Sequence, residues 1–501
     1  MERVLLVNPA QTYYEKSYRD SASGSIGLPL GILYIAAALE RKGCQVRVVD
    51  SLVSEFTVTR RCRDHVWHGI PAERWSQIIR DFRPAVVGLS SQYSAQEENV
   101  LQMIELVKYT DNSIPVIVGG ANASCRSNHL LNASQADIAV RSEGEKAIGE
   151  IIDALRADGD LGDIRGISFR RGREVVVNPG NQYIEDLDEI PWPAYHLVNM
   201  EDYLTLYKKG VFTRDRDVKR NLPMITSRGC PYSCIFCSIS QSMGKAWRAH
   251  SASYIIEHIR ELAARYGVRH IHFEDDNLLF DISRFVQIMG ALREENLTWD
   301  TPNGIRVDLS IDEQILREMV RSGCKSLTIG VESGDEGVLK NIVRKGIRLR
   351  DVVEFARRCK SANLPLRAFF VLGFPGETTA TMNATVNFAM RLLKEYDVEI
   401  INLIATPLFG TELYRICEQK GYLTTDIQPR TLAESTVSDG YGLIRTESFS
   451  PKDVERMSRG LTAKAFRLQF WKGLSHPVRS MRRVGNLHIL RRTLRRAMGW
   501  R

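Results

Sequence analysis

Residues 227–238 read SRGCPYSCIFCS, and they place Cys230, Cys234 and Cys237 in a C-x3-C-x2-C spacing. The run begins inside a strand candidate, MITSRG (224–229), and continues as a loop. A structural zinc takes four protein ligands, commonly as two separated cysteine pairs, and this chain has no second pair. A four-iron cluster in a ferredoxin is held by four thiolates. Three thiolates on one loop can wrap such a cubane and leave one iron open to an outside ligand. A zinc knuckle or three core cysteines are the competing readings.

Outward from this stretch, residues 222 to about 420 alternate strand and helix. The strand candidates after MITSRG are HIHFED (270–275), WDTPNG (299–304), SLTIGV (326–331), RAFFVLG (367–373) and VEIINLIAT (398–406). Six βα units predict a (βα)6 partial TIM-type barrel, whose chemistry gathers at the strand C-termini. The residues just past those strands are Cys230, Asp275, Asp276, Arg306, Glu332 and Gly373. Nearly every polar candidate therefore maps to one end of the barrel.

The cysteine spacing, with Phe236 before the third cysteine, resembles the radical S-adenosylmethionine (SAM) superfamily. That resemblance implies that the open iron chelates the amino and carboxylate groups of SAM, and that reductive cleavage yields a 5′-deoxyadenosyl radical. FEDDN (273–277) stands where the family binds the methionine amino group, which implicates Asp275 and Asp276, although it lacks the family's GGE form. Glu332, in IGVESG (329–334), resembles the polar residue on the SAM ribose. Arg344, in KNIVRKG (340–346), resembles the basic residue on the SAM carboxylate. Gly373 and Gly376, in VLGFPGET (371–378), resemble the turn beside the adenine, where glycine lets backbone approach a ring.

The first 150 residues also alternate strand and helix, with strand candidates RVLLVN (3–8), QVRVVD (45–50), AVVGLS (85–90), PVIVGG (115–120) and IAVRSE (138–143). This predicts a Rossmann-like parallel sheet that binds ligands beyond its strand C-termini, at the loops after Asn8, Ser90, Gly120 and Glu143. GLPLGILYIAAALERKG (27–43), VVGLSSQYSAQ (86–96), VIVGGANA (116–123) and RSEGEKAI (141–148) closely resemble the cobalamin-binding domain fused to one class of radical SAM enzymes. The turns Ser90-Ser91 and Gly119-Gly120 are expected to accept a nucleotide tail between strand ends. The D-x-H-x-x-G motif that supplies a cobalt ligand in many cobalamin domains is missing. DHVWHG (64–69) has the wrong spacing, and His65 and His68 read as loop histidines.

The expected organisation is a cobalamin-binding domain over 1–160, a hairpin and Pro-rich linker over 161–221, the barrel over 222–425 and a mostly helical region over 426–501. By resemblance the protein is a cobalamin-dependent radical SAM methyltransferase acting on an unactivated carbon of a small-molecule or lipid-like substrate. Its cofactors would be a [4Fe–4S] cluster, SAM and cobalamin, with an external electron donor of flavodoxin or ferredoxin type. An oxidative cyclase or ring-rearranging enzyme would use the same cofactors, and no motif separates the two. A tRNA methylthiotransferase would need a second set of three N-terminal cysteines, and Cys44, Cys62 and Cys125 are wrongly placed for it. A non-enzymatic cofactor binder is the remaining alternative.

Composition is that of a globular protein, 44% hydrophobic and 26% charged, with no apolar run long enough to span a membrane and no export signal. That predicts a cytoplasmic, reducing setting in which nine cysteines are not a disulfide framework. The net charge of +8 divides into +12 on residues 457–501 and −4 on the rest. In the tail Leu487, Leu490, Leu494 and Met498 form one helical stripe beside Arg491, Arg492, Arg495 and Arg496. Such a helix suits the inner membrane surface, or else packs on the barrel with its arginines in water. Nucleic acid is not expected, because the tail lacks interleaved aromatic residues.

Overall fold

The computed structural model describes residues 2–14, 26–206, 220–307, 311–437 and 440–475. Its front unit is built on a seven-stranded sheet: β1 (Arg3–Asn8), β2 (Gln45–Asp50), β3 (Val86–Ser90), β4 (Val116–Gly119), β5 (Ile138–Val140), β6 (Ile167–Arg171) and β7 (Glu174–Val177). The spatial order is β7-β6-β5-β4-β3-β1-β2, with β1 to β5 parallel and the β6–β7 hairpin antiparallel at one edge. Both faces are apolar because both are covered. Val4 and Leu6 pack with helices Leu30–Arg41 and Gly144–Arg156, while Leu5 and Val7 pack with the helices on the other face. The chain leaves β1 in opposite directions for β2 and β3, so the topological switch point lies beside Asn8 and Ser90.

Two features differ from expectation. The hairpin expected in the linker completes the front sheet, because β6 pairs with β5 through Phe169, Ser168 and Ile167. The front sheet therefore runs past residue 160. DHVWHG does not form a loop. His65–Gly69 is the central strand of a small antiparallel sheet with Gln11–Tyr14 and Val58–Arg61. His68 bonds Thr59 and the Leu52 carbonyl through its two ring nitrogens, and His65 bonds Asp64.

The second sheet holds β8 (Asn221–Met224), β9 (His270–Phe273), β10 (Thr298–Asp300), β11 (Cys324–Glu332), β12 (Leu366–Leu372) and β13 (Glu399–Ile404). All six are parallel and lie in chain order, and β8 does not pair with β13. This is the expected partial barrel. Side-chain caps start its helices, with Ser251, Asp281, Asp312 and Thr378 each accepting from a backbone N–H of the following first turn. Phe273, Phe285 and Trp299 pack edge to face behind β9 and β10, with centroids 5.2–5.8 Å apart.

Among the described residues up to 475, the C-terminal region holds two helices and joins the two units. Helix Pro451–Ser475 packs on β13, where Asn402 donates to the Ser458 hydroxyl at 2.7 Å. Helix Pro429–Ser435 reaches the front unit, where Arg430 pairs with Asp64 at 2.7 Å. One continuous apolar cluster runs from Val4 through the barrel to Leu461. The basic stripe of the tail lies outside the described residues.

Candidate active site

The cysteine loop is anchored at its root and its middle. Ser227–Arg228 pairs antiparallel with Arg248–Ala249. Gly229 follows at φ +83°, and a Cβ there would lie 2.1 Å from the Ala246 carbonyl oxygen. Between the cysteines, Ile235 is buried, donating its N–H to Val343 and accepting from the Leu413 N–H. Phe236 packs on Phe374 at 5.7 Å, and the Arg306 guanidinium lies 3.5 Å from the Tyr232 ring centre. Cys230 and Cys234 are half-buried and Cys237 is exposed, and all three are free thiols.

Desolvation pushes all three thiols up, Cys237 to about 12, although part of its surface stays open. Asp276 raises Cys230 and Cys237 further, whereas Lys345 and Arg306 oppose the shift at Cys230 and Cys234. These sulfurs do not belong to any trio of His, Cys, Asp or Glu ligand atoms within 4.8 Å of one another among the described residues. One tetrahedral zinc with bonds of about 2.3 Å would need sulfurs closer than that. A cubane, whose ligated irons occupy separate corners, holds its thiolates further apart. The sulfurs are thus not gathered for a single ion, and three thiolates on one loop match the donor set of a cluster with one open iron.

The barrel-end residues divide into those facing this loop and those committed elsewhere. Asp275 is committed through Oδ1, accepting from the Thr226 N–H, the Thr226 hydroxyl at 2.8 Å and the Ser227 hydroxyl at 2.5 Å. It braces the loop root, with Oδ2 taking only the shared Thr226 N–H at 3.1 Å. Asp276 makes no hydrogen bond or ion pair among the described residues. Burial, reinforced by Asp275, lifts it to about 7. Glu332, at φ +68°, pairs with Lys345 at 2.7 Å, and both side chains are nearly buried. Gly330 makes room for this pair, since a Cβ there would lie 2.3 Å from Lys345 Nζ and 2.5 Å from Glu332 Oε1.

Arg344 departs from expectation. It takes a left-handed conformation, φ +59°, at the end of the π-helical turn Val338–Val343, and its half-exposed side chain points to Glu412. Two basic side chains act on the cysteines, its neighbour Lys345 and Arg306, which donates to the Lys345 backbone carbonyl at 2.9 Å. Gly373 also departs from expectation. Its φ of +93° fits it beneath Val454, which a Cβ would meet at 2.9 Å. Its N–H and that of Phe374 each donate to Glu377 Oε2 at 2.9 Å.

In the front unit, Asn8 is committed to the Asp50 carboxylate at 2.9 Å, and that carboxylate also accepts from the Tyr203 hydroxyl. Ser91 is buried, and its N–H donates to the Gly119 carbonyl while its own carbonyl accepts from the Asn122 N–H. Gly120, at φ +113°, lets the turns meet, since a Cβ there would lie 2.7 Å from the Ser91 carbonyl oxygen. The two turns are therefore zipped together at Ser91 and Gly120. The open surface is at half-buried Ser90 and at Gly119, where a Cβ would meet nothing nearer than Val140 at 4.0 Å. That opening at the switch point suits a ligand tail laid across the strand ends. Glu143, expected in the ligand loop, is instead buried in ion pairs with Arg248 at 2.8 Å and Arg228 at 3.6 Å.

One further polar group lies in the barrel. His272 donates its Nδ1–H to Asp300 at 2.7 Å, and His270 lies 3.6 Å from the same carboxylate oxygen. The His272–Asp300 spacing is a hydrogen bond. Two ligands of one zinc, each at about 2.0–2.2 Å in tetrahedral geometry, would stand farther apart. The trio ties β9 to β10.

Comparison with known proteins bears on the same regions. The chain matches the family model of the radical SAM superfamily over residues 224–389 and that of the B12 binding domain over residues 21–152. It is 29% identical over 404 residues to an uncharacterized methyltransferase of Pyrococcus horikoshii, covering 80% of this chain and 81% of that protein. It is 27% identical over 454 residues to the cytidylyl-2-hydroxyethylphosphonate methyltransferase of Streptomyces wedmorensis, covering 84% and 83%. Its fold matches the solved structure of the radical SAM methyltransferase TsrM from Kitasatospora setae, with cobalamin and a [4Fe–4S] cluster bound. The TM-score is 0.63 at 19% identity, covering 93% of this chain and 89% of that one.

Proposed function

The chain belongs to the radical SAM enzymes that carry a B12-binding domain, and on that premise we propose that it is a methyltransferase placing a methyl group on an unactivated carbon of a small molecule. The observation that carries the reading is the cysteine loop itself. Three free thiols lie on one loop anchored at Ile235, at the barrel end where Asp276, Glu332 and Lys345 converge. When bound, the cluster, SAM and cobalamin supply the radical that removes a hydrogen and the methyl group that replaces it.

The protein's own part is to hold and orient. Cys230, Cys234 and Cys237 hold the cluster, and Phe236 and Tyr232 fix their loop. Asp276, without a partner, receives the SAM ammonium group. Lys345 takes the carboxylate, in place of Arg344, and Glu332 faces the ribose. Ser90 and Gly119 carry the cobalamin tail across the front strand ends. A low-potential donor of flavodoxin or ferredoxin type delivers electrons. No described helix is long and apolar enough to cross a membrane.

SAM with a deuterated methyl group tests the reading. Incubated anaerobically with the cofactor-loaded protein and a reductant, it is expected to yield 5′-deoxyadenosine and to leave deuterated methyl on the extracted cobalamin. 5′-Deoxyadenosine with unlabelled cobalamin would favour a cyclase or rearranging enzyme.

A further inference from the structure

Four charged side chains at the junction of the two α/β units are withdrawn from water. Glu143 and Glu145 begin helix Gly144–Arg156 of the front unit, and Arg228 and Arg248 sit opposite each other in the ribbon at the root of the cysteine loop. Arg228 bonds Glu145 at 2.6 Å and lies 3.6 Å from Glu143. Arg248 grips Glu143 with both terminal nitrogens, at 2.8 and 2.9 Å. Glu143 also accepts from the Ile184 N–H at 2.6 Å. The side chains are 1% exposed at Glu143, 7% at Arg228, 9% at Glu145 and 10% at Arg248. Tyr34 of the front unit lies under the Arg228 guanidinium, 5.4 Å away.

Adhesion alone does not call for such a network. An apolar cluster already runs unbroken between the two units. Burying ion pairs costs desolvation that apolar packing avoids, and the best-attested return is registry. The forked geometry of arginine on carboxylate fixes angle as well as distance. The network is also placed to act on the chemistry, because Arg228 lies two residues before Cys230, and Gly229 between them packs so closely on Ala246 that a Cβ there would lie 2.1 Å from its carbonyl oxygen.

We propose that Glu143, Glu145, Arg228 and Arg248 form an inter-unit latch that fixes the distance between the cluster held by the barrel and the cobalamin held by the front unit. They are positioning residues and touch neither cofactor. The inference rests on the proposed cofactor set, and the test separates the two. In the loaded protein, pulsed EPR measures the dipolar coupling between the reduced cluster and cob(II)alamin. Wild type should show one narrow separation. Glu143→Gln should keep iron and cobalt within about a fifth of wild type while its distance distribution widens at least about twofold, because the fork is broken and the shape retained. Arg248→Lys keeps the charge without the fork and should fall between the two. An unchanged distribution in both loaded variants would overturn the latch. Loss of iron or cobalt from both would also overturn it, by making these residues part of a cofactor site or of the fold. Wild type without bound cobalt would instead refute the underlying reading.

Discussion

Glu377 is a fully buried carboxyl group that accepts two backbone N–H groups at one oxygen and has no partner at the other. Burial pushes it up to about 7 from 4.5. The folded chain therefore keeps this proton over a range in which the unfolded chain has lost it. The stability it contributes is complete below pH 4.5 and is lost as pH rises through about 7. Glu377→Gln keeps the acceptor and removes the charge. Urea unfolding across that window should show a flatter pH profile and a variant more stable above pH 7, by on the order of 1–3 kcal/mol. A wild-type profile already flat would contradict this. Lys345→Ala should weaken SAM binding about 10- to 100-fold, as expected for losing a charge-assisted bond. Arg344→Ala should stay within about threefold, because its partner is at the surface. Calorimetric titration of SAM into the cluster-loaded variants would distinguish them.

The three cysteines stood out in the sequence because their spacing on one loop resembles that of the radical SAM superfamily. The choice between Arg344 and Lys345 was not. Adjacent side chains point differently once Arg344 takes a left-handed conformation, and nothing in KNIVRKG announces that turn. Asp275 and Asp276 are likewise adjacent, and only the fold shows that Thr226 and Ser227 bond the first.

At the scale of elements, the loop root is the sensitive point. Gly229→Ala would combine a left-handed backbone, costing on the order of 1–3 kcal/mol, with a collision against Ala246. The expected outcome is iron content below about half of wild type, because the ligating loop loses its anchor, with cobalamin binding retained. Equal loss of both cofactors would mean that the whole fold fails. Strands β1 to β5 and β11 to β13 were readable because buried parallel strands leave apolar runs, whereas β9 (HIHF) and β10 (TWD) interleave polar residues that bond each other through His272 and Asp300. β8 ends earlier than MITSRG suggests, since the Thr226 N–H is spent on Asp275 rather than on a neighbouring strand. Val58–Arg61 escaped notice because all four of its residues are exposed and carry no apolar alternation. Glu143 read as a ligand residue because its partners Arg228 and Arg248 are distant in sequence.

For the whole molecule, two α/β units meet through shared apolar packing, a buried ion network and a helical C-terminal region that touches both. Such a join suits chemistry in which two cofactors must meet across a junction, since a misplacement of about 1 Å can cost about 100-fold in rate. The central claim is that one chain holds both a three-thiolate cluster and cobalamin. The most direct test is anaerobic purification with cobalamin supplied, followed by iron, sulfide and cobalt analysis. The account predicts about four irons with matching sulfide and about one cobalt per chain, the iron lost in a Cys230→Ala, Cys234→Ala, Cys237→Ala triple variant that keeps its cobalt. Zinc in place of iron, without sulfide, would contradict it.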